Sequence, residues 1–213
     1  MSKTPKREAL SRQRILEAAL AIVDREGLDA ISMRRLGEEL GVEAMSLYNH
    51  VTNKADLLDG IFETVLAALP PPRRTSSWAS ALRGGARGLR AVLRAHPAVI
   101  PIFAARPAVT PASLAHVESA LSTLRNAGFS VHDALSVFQI VVAYVVGHTA
   151  QAHAPVRPSE RSTPAYAELD ASVFPTVREV AAALSHHDID REFNIGLEAL
   201  MAGFEVRLSK VHR

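Results

Sequence analysis

The stretch from Ser32 to Lys54, SMRRLGEELGVEAMSLYNHVTNK, restricts the fold more than any other part of the chain. Ser32 is suited to cap a helix carrying Met33, Arg34, Arg35, Leu36 and Leu40, and Gly41 stands where that helix must end, because glycine enters the left-handed region without penalty. The chain therefore turns sharply. Val42 restarts the apolar pattern, and Ala44 to His50 has room for about two helical turns. Leu36, Leu40, Val42, Leu47 and Val51 can share one small core, which leaves Ala44, Met45, Ser46, Tyr48, Asn49 and His50 with nothing of their own chain to pack on. That is the pattern of a helix-turn-helix, in which a second helix offers side chains to the DNA major groove.

The remainder reads as helix. With 48% hydrophobic and only 5% aromatic residues, and long strings of Ala, Leu and Arg, the 213-residue chain has the material for an all-α core and no period-two strand run. The absence of cysteine excludes disulfides and thiolate metal sites and suits a reducing cytoplasm. The polar N-terminus lacks an apolar leader, and no stretch reaches about 18 uninterrupted apolar residues, so a soluble, unexported protein is expected. A net charge of +2 says little about nucleic acid, but residues 1 to 14 hold Lys3, Lys6, Arg7, Arg12 and Arg14 against Glu8 alone. Such an arm, residues 1–10 and the start of the first helix, can reach phosphates.

In chain order, Ser11 to Glu26 forms a supporting helix with Ile15, Ala19, Ile22 and Val23 inside and Gly27 at its end. Asn53 caps the helix after the motif, with Asp56 in its first turn, and that helix runs as a rod to Leu69. Pro70, Pro71 and Pro72 stop it, dividing a DNA-binding head, residues 11–69, from a helical body, residues 73–213. Ser76 or Ser77 starts a helix to Ala95 with Leu82, Ala86, Leu89 and Leu93 on one face; Arg83, Arg87, Arg90 and Arg94 form a cationic stripe expected to be solvated. Prolines 97, 101, 107 and 111 break the next segment into a short helical piece and a loop suited to lining a cavity. A helix from Pro111 to Ala127 comes next, with Leu114, Val117, Leu121 and Leu124 inside, then one from Ser130 to His153, apolar nearly all round and expected at the centre of a bundle. Residues 155–172 read as a polar loop. Helices at about 175–185 and 190–210 close the chain, the last with Phe193, Leu197, Leu200, Met201, Phe204 and Leu208 on a wide apolar face beside Gly196 and Gly203, suited to a contact with a second copy.

An enzyme finds no support. No phosphate loop, G-x-S-x-G or H-E-x-x-H occurs, and Gly84-Gly85 lacks a Lys-Ser pair. His148 and His153 are five apart, which does not place two imidazoles on one helical face, and His186, His187 and Asp188 read as surface groups at a helix end. No metal site and no cofactor are expected. The competing reading is a helical small-molecule-binding protein or enzyme without an operator.

The first 69 residues resemble the DNA-binding domain of TetR-type repressors, carried here by ELGVEAMSLYNHVTNKADLL. WASALRGGARGLRAVLRAHP, the Ala105 to Pro107 turn, LRNAGFSVHDAL and FNIGLEALMAGFE resemble the tetracycline-repressor branch, so the likeness covers nearly the whole chain. It implies a transcriptional repressor that binds a palindromic double-stranded operator as a homodimer and is released by a small-molecule inducer. It implies that Arg34 contacts a base, that Ala44, Met45 and Ser46 form the tip of the reading helix and Tyr48, Asn49 and His50 its exposed side, and that Lys54 clamps a phosphate. Arginine can take guanine in a bidentate way, Met45 can touch a thymine methyl, and Ser46, Tyr48 and Lys54 suit phosphate oxygens. Asn49 and Ala44 depart from the branch, so the operator should differ. Ile102, Ala105, Gly85, Ala143 and Gln151 stand where the branch holds magnesium-tetracycline, with only Arg106 and Pro107 retained. The expected inducer is therefore more apolar and bound without magnesium, against Leu89, Ile102, Phe103, Arg106, Val117, Phe138 and Tyr144.

Overall fold

In a computed structural model the protein is described over residues 9–70, 77–153, 169–184 and 187–211, and these residues hold ten α-helices and no strand. Lys3, Lys6, Arg7 and Glu8 of the arm, Pro71, Pro72, Ser76, most of the polar loop and His186 lie outside the described residues. The helices are α1 (Arg12–Glu26), α2 (Met33–Leu40), α3 (Ala44–Leu47), α4 (Lys54–Ala67), α5 (Trp78–Ala95), α6 (Ile100–Ala105), α7 (Pro111–Asn126), α8 (Val131–Ala152), α9 (Pro175–Leu184) and α10 (Ile189–Val211), with 3-10 turns at Leu28–Ala30 and Pro97–Val99. The chain divides into two compact units, one reaching Thr149 and one from Ala150 on. The first therefore holds α1 to α7 and most of α8, so the head and the first body helices pack as one.

Helix starts are capped by side chains, at Ser32, Asn53 and Ser77 as the sequence anticipates and at Ser11 and Thr110 besides. Ser11, Ser32, Asn53, Ser77 and Thr110 each accept a hydrogen bond from the backbone N–H three residues on, satisfying an otherwise orphaned donor. Asp188 does the same for the last helix, accepting from the N–H groups of Asp190 and Arg191. In the head, α1 lies against α2 and α4, and Ile15, Ala19, Ile22, Val23, Leu36, Leu47, Val51, Leu57 and Ile61 are buried together. Leu40 and Val42 are only half-covered. Beyond the head, α4 meets α5, α6 and α7, and the 3-10 turn at Pro97–Val99 meets α1.

Four expectations change. Arg90 is buried at 8% exposure, so the arginine stripe on α5 is not a solvated face throughout; Ala86, Val92 and Leu93 around it are buried as well. On α7 only Leu124 of the four apolar positions is buried, Val117 and Leu121 are half-covered, and Leu114 is exposed. On α8 one face (Ala134, Val137, Val141, Val145) is buried, while Ser136, Ile140, Ala143 and Gly147 form an exposed stripe at i, i+4, i+7 and i+11. Composition alone makes this helix look surrounded. By length and hydropathy α8 could cross a membrane, a property that the core helix of a soluble protein shares. On α10, Phe193, Leu197, Met201 and Phe204 are buried within the chain itself. The apolar surface left over is a different stripe, Ile195, Ala199, Ala202 and Val206.

Nothing in the sequence pattern marks Gly37, yet it fixes how α2 meets α3. A Cβ built there would stand 2.8 Å from the Val42 carbonyl oxygen and 3.2 Å from the Ala44 nitrogen, both backbone atoms that cannot swing aside. Gly37→Ala is expected to force the two helices apart and destabilise the protein by about 1–3 kcal/mol, read as a lowered midpoint in thermal unfolding.

Candidate nucleic-acid interface

The turn between α2 and α3 is built from two glycines and one backbone bond. Gly41 sits in the left-handed region at φ 65, ψ 37, and the Val42 N–H donates to the Gly37 carbonyl at 3.0 Å. The regular part of α3 is four residues, shorter than the two turns read from sequence. Past Leu47 the chain tightens, with the His50 and Val51 N–H groups both returning to the Leu47 carbonyl at 2.9 and 3.0 Å. The reason lies downstream: Asn53 must be extended, at φ −167, to cap α4, and so the helix has to unwind before it.

Leu47 and Val51 anchor this segment in the core, and its other side faces solvent. Met45 is 73% exposed and Tyr48 45%, while Asn49 is exposed and Ala44, Ser46 and His50 are half-covered. A single exposed apolar side chain is ordinary on a protein surface, but Met45 and Tyr48 stand together on one short segment. Arg34 extends from the start of α2 with its side chain 88% exposed and only a long 3.8 Å approach to Glu38, and Lys54 is exposed at the first position of α4. The structure thus brings Arg34, Lys54 and the α3 residues to the surface of one small domain.

Two charge clusters hold that domain, and sequence reading missed both. Arg12 is not part of a free arm. Its guanidinium donates to the His50 carbonyl at 2.9 Å and to Asp56 Oδ1 at 2.6 Å, and Asp56 Oδ2 accepts from the Thr52 N–H at 2.8 Å and the Thr52 hydroxyl at 3.1 Å. The Asp56 carboxyl is held down at about 2, chiefly by the Arg12 hydrogen bond, against partial burial. At the other end of α1, Arg35 reaches Glu26 at 2.6 Å and Glu39 at 2.8 Å, and Arg25 reaches the same two carboxylates at 2.8 and 2.9 Å. Hydrogen bonds from Arg35, then Arg25, lower the Glu26 carboxyl to about 2. The i, i+4 spacing of Arg35 and Glu39 was the visible signal; the long-range partners were not.

Three contacts join the head to the first body helices. Arg106, just after α6, donates to Asp59 of α4 at 2.8 Å and to the Ala55 carbonyl at 3.2 Å. Phe62 of α4 stacks on Phe103 of α6 with centroids 4.3 Å apart. His96 Nδ1 lies 2.7 Å from Asp24 Oδ2 of α1. Among the other residues expected to line a ligand site, Ile102 is buried, and Leu89, Val117, Phe138 and Tyr144 are half-buried. Arg106 has its guanidinium engaged with α4. Among the described residues no three His, Asp or Glu side chains gather as metal ligands, and His187 pairs with Glu192 at 2.6 Å.

A capped helix, a glycine turn and a short second helix with an uncovered tip define a helix-turn-helix protein of the DNA-binding class. Residues 15–61 match the family described as bacterial regulatory proteins, tetR family, and residues 70–208 match the tetracyclin repressor-like C-terminal domain. The chain is 31% identical to the HTH-type transcriptional repressor DrrR1 of Streptomyces coeruleorubidus over 98% of its own length and 82% of that protein. It is also 31% identical to the class D tetracycline repressor protein of Escherichia coli, over 94% of this chain and 91% of the other. Among solved structures it resembles ActR from Streptomyces coelicolor in complex with actinorhodin, at TM-score 0.80 and 31% identity, covering 94% of this chain and 99% of ActR. The protein belongs to the TetR family; it is a transcriptional repressor and not an enzyme.

Glu26 and Asp56 both have carboxyls lowered on folding, to about 2 from 4.5 and 3.8, so each stabilises the head fully above its ordinary value and loses that contribution as pH falls toward 2. Thermal unfolding followed by far-UV circular dichroism should show the midpoint falling across that acid window. Glu26→Gln with Asp56→Asn should give a lower midpoint at neutral pH and a flatter curve below it.

Proposed function

We propose that the protein acts as a homodimer on a palindromic operator, with Arg34, Ala44, Met45, Ser46, Tyr48, Asn49, His50 and Lys54 meeting DNA, and that an apolar small molecule releases it. The observation that carries this reading is the uncovered tip of α3, where Met45 and Tyr48 stand exposed on a segment whose other side is locked into the core. In the roles assigned, Arg34 and the α3 tip read bases, while Lys54 neutralises a phosphate. Functionally the division falls at Pro70, with residues 11–69 as the reading head and 73–213 as the body. The setting is the cytoplasm, where the DNA is.

A dimer is argued from unpartnered apolar surface. The α10 stripe of Ile195, 61% exposed, Ala199, Ala202 and Val206, 56% exposed, repeats the spacing of the α8 stripe. Small residues in the α10 row allow helices to approach closely, and α9 and α10 from each copy make a four-helix contact. The sequence favours α9 and α10 for this role, and Val177 and Val180 on α9 are exposed too. The pair of heads then presents two reading segments roughly 34 Å apart, one turn of DNA.

Induction is argued from the joint between α4 and α6. ActR has been solved with actinorhodin, and a small apolar ligand here would sit against Leu89, Ile102, Phe103, Val117, Phe138 and Tyr144 without magnesium. Displacing α6 pulls on Arg106–Asp59 and Phe62–Phe103, and so on α4, which carries the head. A coupling of about 3 kcal/mol would lower operator affinity roughly 150-fold.

Duplexes enriched by the protein from a random-sequence library should prove palindromic. Arg34→Ala should lose discrimination at one base-pair position, at a cost of about 1–3 kcal/mol, whereas Lys54→Ala should weaken all duplexes alike and make the salt dependence shallower. Equal behaviour of the two would remove the assigned roles. Separately, Ala199→Arg should halve the mass seen by light scattering and abolish tight operator binding, because a cation would be buried unpaired at the centre of the contact.

A further inference from the structure

The segment that carries Tyr48, Asn49 and His50 is held by very little of its own. Four helical residues are too few to be stable alone, and carbonyls at the end of a helix lack intrahelical partners. Leu47 and Val51 fix its depth in the core but leave it able to pivot. What stops the pivot comes from outside. Arg12 at the start of α1 donates one prong of its fork to the His50 carbonyl and another to Asp56 at the start of α4. Asp56 in turn holds the Thr52 N–H and hydroxyl. Residues 48 to 52 are thereby pinned at two points, His50 by one helix and Thr52 by another.

We propose that Arg12 and Asp56 are positioning residues for DNA reading, a two-pronged clasp that sets the angle of the α3 segment without either group touching DNA. This rests on the reading of α3 as the DNA-contacting element. It gives Arg12 a part opposite to that of an arm cation, since its charge is spent on Asp56 at 2.6 Å and on a carbonyl. Lysine would not substitute, because an ammonium is a point charge that cannot serve both acceptors with the planar geometry of guanidinium.

The test is equilibrium binding of the full-length protein to a duplex that it enriches from a random library, and to poly(dI-dC), over a range of salt. Arg12→Ala and Asp56→Ala are each expected to lower affinity for the enriched duplex about tenfold, the size of one hydrogen bond to a charged group. The double variant should fall no further than either single one, since one unit is broken in all three. Binding to poly(dI-dC) and the salt slope should stay as in the parent protein. Arg12→Lys, which keeps the charge and guards against unfolding as the cause, should bind as weakly as Arg12→Ala. The proposal is overturned by the opposite pattern. If Arg12 neutralised a phosphate, its loss would weaken both DNAs and reduce the slope by about 0.9, Arg12→Lys would bind normally, and Asp56→Ala would bind more tightly because a repelling carboxylate had gone. Parent protein that enriches no duplex at all would instead overturn the DNA reading itself.

Discussion

Helix α4 is held from both sides, and the head's orientation depends on that grip. One side packs on α1, with Leu57, Ile61 and Val65 buried; the other meets α5, α6 and α7. A helix transmits displacement along its length because each residue is tied to the turn before it, so a shift imposed at Asp59 or Phe62 arrives at Lys54 and Asp56 one to two turns away. The charges at its two contact points differ in kind. Asp59 is joined to the body through Arg106, whereas Asp56 is joined to α1 through Arg12. One carboxylate thus ties α4 to the first body helices and the other ties it to the rest of the head.

Local rules are legible in the sequence and distant pairings are not. Ser32, Gly41, Asn53 and Ser77 act within three residues of themselves, so their caps and turns can be read directly. The length of α3 reads too long because its limit is set downstream, by an extended Asn53, rather than by its own composition. Arg12 reads as part of the basic arm because the carboxylate that holds it lies 44 positions away. For the apolar faces of α8 and α10, hydropathy tells that a residue prefers cover but not whether its own chain or another copy provides it. Phe193, Leu197 and Met201 are covered by their own chain, while Ile195 and Val206, no less apolar, are left outside.

The small net charge is informative once these pairs are counted. Arg12, Arg25, Arg35 and Arg106 all pair with carboxylates of the head, which hold helix to helix. Surface ion pairs of this kind contribute little individually, yet a ring of alternating charges fixes relative helix angle more firmly than a single pair. Cations used in this way are unavailable to phosphates. In the head, Arg34 has only a 3.8 Å approach to Glu38 and Lys54 is exposed at the start of α4, which makes them better candidates for DNA than the four paired arginines.

The body leaves small residues at the centre of its exposed apolar rows, and this bears on how induction could work. The exposed rows on α8 and α10 set Ala143, Gly147, Ala199 and Ala202 between the branched side chains of Ile140, Ile195 and Val206. Rows of small residues bury less area per helix than rows of leucine, but let backbones come within close reach and resist sliding, because there are few flexible side chains to repack. A partner contact of that type would be stiff. The softer part of the body is then the stretch broken by Pro97, Pro101 and Pro107, where α6 has only six residues and half-covered neighbours on α5, α7 and α8. A guest molecule displaces whichever element yields most easily, so a rigid seam between copies directs its effect onto α6, and through Arg106 and Phe103 onto α4, instead of dissipating it between the subunits.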